Sequence, residues 1–153
     1  MDEVGGIFAR ESTYLDCYVQ VGLAQGRVIS VSFPVDPEDG AGTDHDLLDR
    51  IEAYLQGEPD DFSDVTVALT VPTDERAVLE RVRDIPYGEA TTVEGLARMV
   101  PGRDPEEDGD RRLVREALAN NPAPVFVPDH RVRNGPSSAP PGVIQKLRAV
   151  EAL

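Results

Sequence analysis

Residues 124–135 read PVFVPDHRVRNG. An apolar run, which the pattern predicts as a strand, meets Pro128 and then delivers Asp129, His130 and Arg131 side by side. Three ionisable side chains thus leave one turn directly behind a buried run. Burying such a cluster costs free energy unless its members are paired or used. The turn is therefore an active site, the remains of one, or an ion-paired corner.

Outward from this turn, the chain becomes helical on both sides. Residues 111–120, RRLVREALAN, place Leu113, Val114, Ala117 and Leu118 on one face, with Arg111, Arg112 and Arg115 on the other. Asn120, Asn121 and Pro122 end that helix. A last short helix is predicted over Val143 to Glu151. Upstream, Pro72-Thr73 opens a helix that Thr73 can cap, with Val78, Val82 and Ile85 as its buried stripe. IPYGEATT is a turn, and Thr91 and Glu94 have capping-box spacing for a helix from Val93 to Val100. A helix, a loop and an Arg-bearing helix suggest a helix-turn-helix. An ordinary packed helix with a solvated Arg face fits the same pattern.

The first seventy residues differ. YVQVGLAQGRVISVSF alternates apolar and polar residues about Gln25-Gly26 and predicts a β-hairpin. Val19, Val21 and Leu23 face one side, answered by Ile29, Val31 and Phe33. DPEDGAGTDHD is a solvated linker with too few correctly spaced ligands for a calcium loop. DLLDRIEAYLQG aligns Leu47, Leu48, Ile51, Tyr54 and Leu55 on a helical face, and DVTVALTV is a third strand.

Charge divides the chain in the same way. It carries 29 acids against 15 bases, and Lys146 is the one lysine. Residues 1–110 hold 26 acids and 8 bases, while residues 111–153 hold 3 acids and 7 bases. An acidic body with a basic C-terminal end fits an anionic partner docking at that end. The interleaved acids read as a cytoplasmic protein from a high-salt setting, kept hydrated by carboxylates. A single cysteine, Cys17, forms no internal disulfide and offers no zinc pattern. No apolar run reaches the ~18 residues of a membrane span. The acidic start, MDEVGGIFAR, has no leader pattern. No metal or cofactor is expected.

Several short motifs fall in register together: IPYGE at 85–89, LA at 96–97, NP at 121–122 and PDHRV at 128–132. In this order and approximate spacing the chain resembles the 6-O-alkylguanine-DNA alkyltransferase family, whose pattern ends Asn-Pro-x5-Pro-Cys-His-Arg-Val. The likeness covers about 72–153 and extends more loosely to the N-terminal hairpin and helix. It implies an α+β fold: an RNase H-like unit at 1–70 (hairpin, helix, strand), then a mainly helical winged helix-turn-helix domain at 71–153. In that family the helix-turn-helix binds the DNA minor groove, a damaged guanine is flipped into a pocket, and a cysteine keeps the alkyl group.

Carried across residue by residue, the resemblance puts the acceptor cysteine at Asp129 and the histidine that activates it through water at His130. The following arginine is Arg131, the asparagine shaping the turn is Asn121, and the arginine filling the gap left by the base is Arg112. Arg111, Arg115 and Arg133 complete the expected DNA-facing set. The departures are many. The tyrosine that helps rotate the nucleotide falls on Val93, and the pocket Tyr-Ser falls near Ala139 and Pro140. The glutamate that orients the histidine falls on Leu153, so none is expected. The loop before the Arg-bearing helix is longer and carries Asp104, Glu106, Glu107, Asp108 and Asp110.

Transfer to a thiol at position 129 is excluded by the residue. Three readings remain. The first is a non-enzymatic protein that binds double-stranded DNA, with alkylated DNA as a candidate ligand and excision-repair proteins as candidate partners. Here an ionised Asp129, held so by Arg131 and His130, only accepts hydrogen bonds and would repel the guanine 6-oxygen. A base with an exocyclic amine suits it better. The second is a scaffold, with Asp129 ion-paired to His130, Arg131 or Arg112. The third is hydrolytic: Asp129 takes an alkyl group as an ester and His130 activates the water that removes it.

Overall fold

Gln25 and Gly26 both take positive φ, 53° and 76°, and Ala24 pairs with Arg27 across them. This is the two-residue turn whose twist matches a hairpin. In this computed structural model, which describes residues 5–153, the hairpin is two-thirds of a sheet. Met1–Val4, part of the stretch expected to carry no leader, lie outside the described residues.

Strands β1 (Gly6–Ser12), β2 (Cys17–Ala24) and β3 (Arg27–Ser32) run antiparallel in that order. Three expectations need correction here. First, β1 was not anticipated. Second, the ladder between β2 and β3 slips at Gly22/Leu23. The extra residue resets the inward alternation, so Val28 and Val31 are buried and Ile29 is exposed. Third, 64–71 is not a continuous strand. It lies beside β3 through two bonds only, Val28 N–H to Thr66 O at 2.9 Å and Ala68 N–H to Val28 O at 2.8 Å.

Five helices follow: α1 (Asp46–Leu55), α2 (Thr73–Val82), α3 (Val93–Met99), α4 (Asp108–Ala119) and α5 (Pro141–Val150). Helix α1 buries Leu48, Ile51 and Tyr54, as its apolar spacing predicts, and His45 caps it by accepting from Leu47 N–H. The other caps shift by one residue. Thr92, not Thr91, caps α3 through Gly95 N–H, and Thr73 stands inside α2 without capping it. Helix α4 starts three residues earlier than expected. The intervening loop is tied to it, with Arg103 on Asp110 at 3.0 Å and Asp104 N–H on Asp110 at 2.9 Å. Helices α2, α3 and α4 pack on one another, burying Val78, Leu79, Val82, Leu96, Ala97, Val114 and Leu118.

The core is continuous from the sheet into these helices. Arg83, just after α2, stitches it together: its guanidinium donates to Phe62 O and Val65 O, each at 2.8 Å, and to Phe126 O at 3.1 Å. Val31 N–H of β3 donates to Pro122 O at 2.9 Å. The sheet and the chain after α1 thereby brace the segment after α4, where the ionisable turn sits. The fold is α+β. Among the described residues no helix is long and apolar enough to cross a membrane.

Candidate functional site

The segment 124–127 is not the strand expected. It is a buried turn in which Val125 takes φ +83°, closed by Val127 N–H on Ala123 O at 2.9 Å. Asn121 holds it from within. Its side-chain oxygen accepts from Ala123 N–H at 3.0 Å, and its amide donates to Val127 O at 3.0 Å and to Asp129 Oδ2 at 3.1 Å. Pro128 then leads into a short 3-10 turn, Asp129–Arg131, whose three side chains are 1–2% exposed. Arg148 of α5 fastens this turn from outside by donating to His130 O at 2.8 Å and Val132 O at 3.1 Å.

The three ionisable groups do not pair with one another. His130 and Arg131 share Glu151, just past α5, which corrects the expectation that no glutamate orients the histidine. His130 Nε2 lies 2.7 Å from Glu151 Oε2. Arg131 donates to both carboxylate oxygens, at 2.9 and 3.1 Å, and to Ile85 O at 2.7 Å. Gly88 N–H donates to Glu151 Oε1 at 2.9 Å, and the Tyr54 hydroxyl of α1 donates to Oε2. Burial alone would raise the Glu151 carboxyl, but hydrogen bonds from His130, Arg131, Gly88 and Tyr54 hold it near about 2. Burial is also the first influence on His130 and lowers it, against the upward pull of Glu151. An ionised carboxylate only accepts, so a neutral His130 carries its hydrogen on Nε2. Its Nδ1 is then a bare acceptor, and it has no hydrogen-bond partner.

Asp129 stands apart from this network. No cation pairs with it among the described residues, so the expected pairing of Asp129 with His130, Arg131 or Arg112 is not formed, while the other two groups of the turn are paired with Glu151. Its Oδ2 accepts from Asn121 and from Ser137 Oγ at 2.7 Å, and its Oδ1 is buried with no partner. Burial dominates and pushes the carboxyl up to about 7, against the hydrogen bonds of Ser137 and Asn121 and the charge of Arg148. The expectation of an aspartate kept ionised by its neighbours therefore fails, because those cations turn to Glu151. Arg131 in particular is committed to the interior.

The remaining expected arginines lie on helix α4 and just after the 3-10 turn. Arg112, Arg115 and Arg133 are exposed and enter no ion pair among the described residues. Arg111 is engaged by Asp108 and donates to Pro105 O at 2.7 Å. Asn121 and His130 are brought together with Asp129; Arg112 is not. Val93 is fully buried, and its N–H donates to Asn134 Oδ1 at 2.7 Å. The segment 133–140 closes over Asp129 through Ser137 and through Ser138, whose hydroxyl donates to Asn121 O at 2.7 Å. Two cavities, of about 280 and 390 Å³, open elsewhere, one between β1 and α1 and the other beside α2.

Sequence reasoning missed Tyr54, Ser137, Arg148 and Glu151. Two signals were present. A tyrosine on an apolar helical face needs a partner for its hydroxyl, and Glu151 is the lone acid after residue 129 in a basic segment.

A model of the 6-O-methylguanine DNA methyltransferase DNA-binding domain matches residues 74–148. A methylated-DNA–protein-cysteine methyltransferase of Methanopyrus kandleri is 38% identical over 96 residues, 63% of this chain and 68% of that protein. A DNA base-flipping protein of Thermus thermophilus is 34% identical over 111 residues, 72% of this chain and 71% of that protein. In fold, the chain is similar to a variant of the Mycobacterium tuberculosis 6-O-methylguanine methyltransferase. The TM-score is 0.75 at 22% identity, covering 97% of this chain and 91% of that one.

Proposed function

The chain belongs to the 6-O-methylguanine DNA methyltransferase family, and we propose that it binds duplex DNA in damage recognition without taking an alkyl group onto itself. One observation carries this reading: the residue beside His130 is a carboxylic acid, while the only cysteine, Cys17, opens β2 in the N-terminal sheet. A relative named for base flipping and not for methyl transfer supports a non-enzymatic role. In this reading residues 71–153 face the DNA, with α3 and α4 as a winged helix-turn-helix, and residues 1–70 form an RNase H-like buttress. Arg112, Arg115 and Arg133 meet phosphates or the gap left by a flipped base. Asn121, Asp129 and His130 form the base pocket. Arg131, held inside by Glu151, shapes that pocket instead of touching DNA. Excision-repair proteins are the candidate partners once a lesion is marked.

Arg112→Ala tests this by fluorescence anisotropy on a duplex. It is expected to weaken binding about tenfold, the order seen for a lost DNA contact of roughly 1–3 kcal/mol. Arg27→Ala, at the far hairpin, is expected to change it less than twofold. Equal effects of the two, or no duplex binding, would sink the reading.

A second reading draws on the geometry of His130. A histidine backed by a carboxylate, with its other nitrogen unpartnered, is arranged as a general base. In that reading an Asp129 oxygen attacks the alkyl carbon, the bond from carbon to the guanine oxygen breaks, and an ester forms. Water deprotonated by His130 then attacks the ester carbonyl, releasing an alcohol and restoring the carboxylate. Disappearance of many equivalents of lesion per protein would identify it.

A further inference from the structure

Two buried side-chain polar atoms among the described residues lack partners, Asp129 Oδ1 and His130 Nδ1, and they belong to adjacent residues of the same 3-10 turn. Their chemistry is set by their neighbours. Asp129 Oδ2 is held by Asn121 from within the turn, whether or not Ser137 also donates to it, so Oδ1 is the oxygen left for a guest. His130 Nε2 is engaged by Glu151, so Nδ1 presents a lone pair. With Asp129 ionised, both free positions are acceptors. Leaving such buried atoms unsatisfied is costly, and a guest bearing hydrogen-bond donors relieves that cost.

We propose that the site at Asp129 and His130, closed in this structure by segment 133–140, opens to take an extrahelical base through an exocyclic amino group, as in adenine or cytosine, and discriminates against purines whose 6-position is an alkylated oxygen. This rests on the duplex-binding reading above. An amino group offers hydrogens where unpartnered acceptors lack them. A 6-alkoxy purine brings an oxygen acceptor instead and leaves acceptor facing acceptor. Entry of the base requires segment 133–140 to lift, releasing Ser137 from Asp129 and Ser138 from Asn121 O.

The preference depends on pH, because burial raises the Asp129 carboxyl to about 7. The groups facing this turn are His130 and Arg131 within it, Arg148 and Glu151 at α5, and Tyr54 from α1. Arg131 and Glu151 neutralise each other. Tyr54 is held protonated, first by burial and then by Glu151, and burial keeps His130 neutral. Asp129 is thus the group that changes charge near neutrality. Ionised, it accepts from an amine. Protonated on Oδ1, it becomes a donor and tolerates an alkoxy oxygen. Affinity for an amine-bearing base therefore falls as pH drops through about 7, while affinity for a 6-alkoxy purine rises.

The test measures anisotropy of the full chain on three otherwise identical duplexes at pH 6 and pH 8. One carries adenine opposite an abasic site, one carries 6-O-methylguanine opposite an abasic site, and one is fully paired; the abasic partner makes flipping easy. The expected result is adenine over 6-O-methylguanine by about fivefold or more at pH 8, with the preference shrinking at pH 6. In Asp129→Asn the pH dependence of the preference is lost. Preference for 6-O-methylguanine at pH 8 overturns the inference, as does equal binding of all three duplexes, while duplex binding itself stands. Failure to bind any duplex overturns the duplex-binding reading and this inference together. The wild-type pH comparison decides the matter even if the variant folds poorly.

Discussion

Two buried carboxylic acids serve the same turn, Asp129 as a member of it and Glu151 as the partner of His130 and Arg131, and they are treated oppositely. Glu151 receives donors from Arg131, His130, Tyr54 and Gly88 and is held ionised near about 2. Asp129 receives two neutral donors on one oxygen, none on the other, and sits near about 7. Both are almost wholly shielded from solvent, and Asp129 is the more deeply packed of the two. The difference lies in the balance of donors against desolvation: charged and neutral donors win at Glu151, and deeper burial with fewer donors wins at Asp129. Around Glu151 the structure is satisfied and closed, as in a stabilising network. Around Asp129 it keeps an unmet demand, as expected of a site that waits for a ligand.

The largest effect is expected from breaking the satisfied side. Glu151→Ala leaves the Arg131 guanidinium buried without its counter-ion, which costs about 3–5 kcal/mol. Chemical denaturation at neutral pH is expected to show a loss of that order. A loss under 1 kcal/mol would mean that water reaches Arg131. The pH dependence has a fixed sign. A carboxyl lowered on folding contributes stability above its unfolded value near 4.5, and that contribution is lost as pH falls toward about 2.

Asp129 should behave in reverse. Its folded carboxyl is raised from 3.8 to about 7, so the folded state holds the proton more tightly than the unfolded one. Its contribution is full below pH ~4 and is lost as pH rises through about 7. At ~1.4 kcal/mol per pH unit this amounts to about 4 kcal/mol. Asp129→Asn keeps the shape and is expected to be the more stable protein at pH 8 and nearly equal at pH 4. Parallel pH–stability curves for the two proteins would show that the pocket hydrates the carboxylate.

Smaller changes sharpen the contrast. Tyr54→Phe removes one donor to Glu151 and is expected to cost about 1–2 kcal/mol. Ser137→Ala removes one of the two donors to Asp129. It is expected to push that carboxyl higher still while costing about 1 kcal/mol or less, because segment 133–140 is mostly exposed. Carboxyl-carbon titration by NMR follows both residues directly. Equal movement of the Asp129 and Glu151 titrations in Ser137→Ala would show that the two sites are coupled.

Much of the frame was legible because it depends on local chemistry. The Gln25-Gly26 turn, the α1 stripe of Leu48, Ile51 and Tyr54, and the α4 stripe of Val114, Ala117 and Leu118 follow from periodicity and turn preference. Residues 124–127 misled because four apolar residues look alike in a strand and in a buried turn. The bulge at Gly22/Leu23 reversed Ile29 because one inserted residue flips every side chain after it. The turn Asp129–Arg131 was legible as three ionisable groups leaving one buried turn, but their pairing was not. Glu151 reaches His130 from 21 residues away, two positions before the place that the family pattern assigned. That closure is set by how α5 packs on the turn, which no local pattern encodes.

The most direct test of the proposed function is intact mass after incubation with a duplex carrying 6-O-methylguanine, with the lesion quantified alongside. The prediction is an unchanged protein mass, an unchanged lesion and a retained protein–duplex complex. A protein heavier by one methylene unit would contradict it, because some residue of this chain would then accept the alkyl group after all.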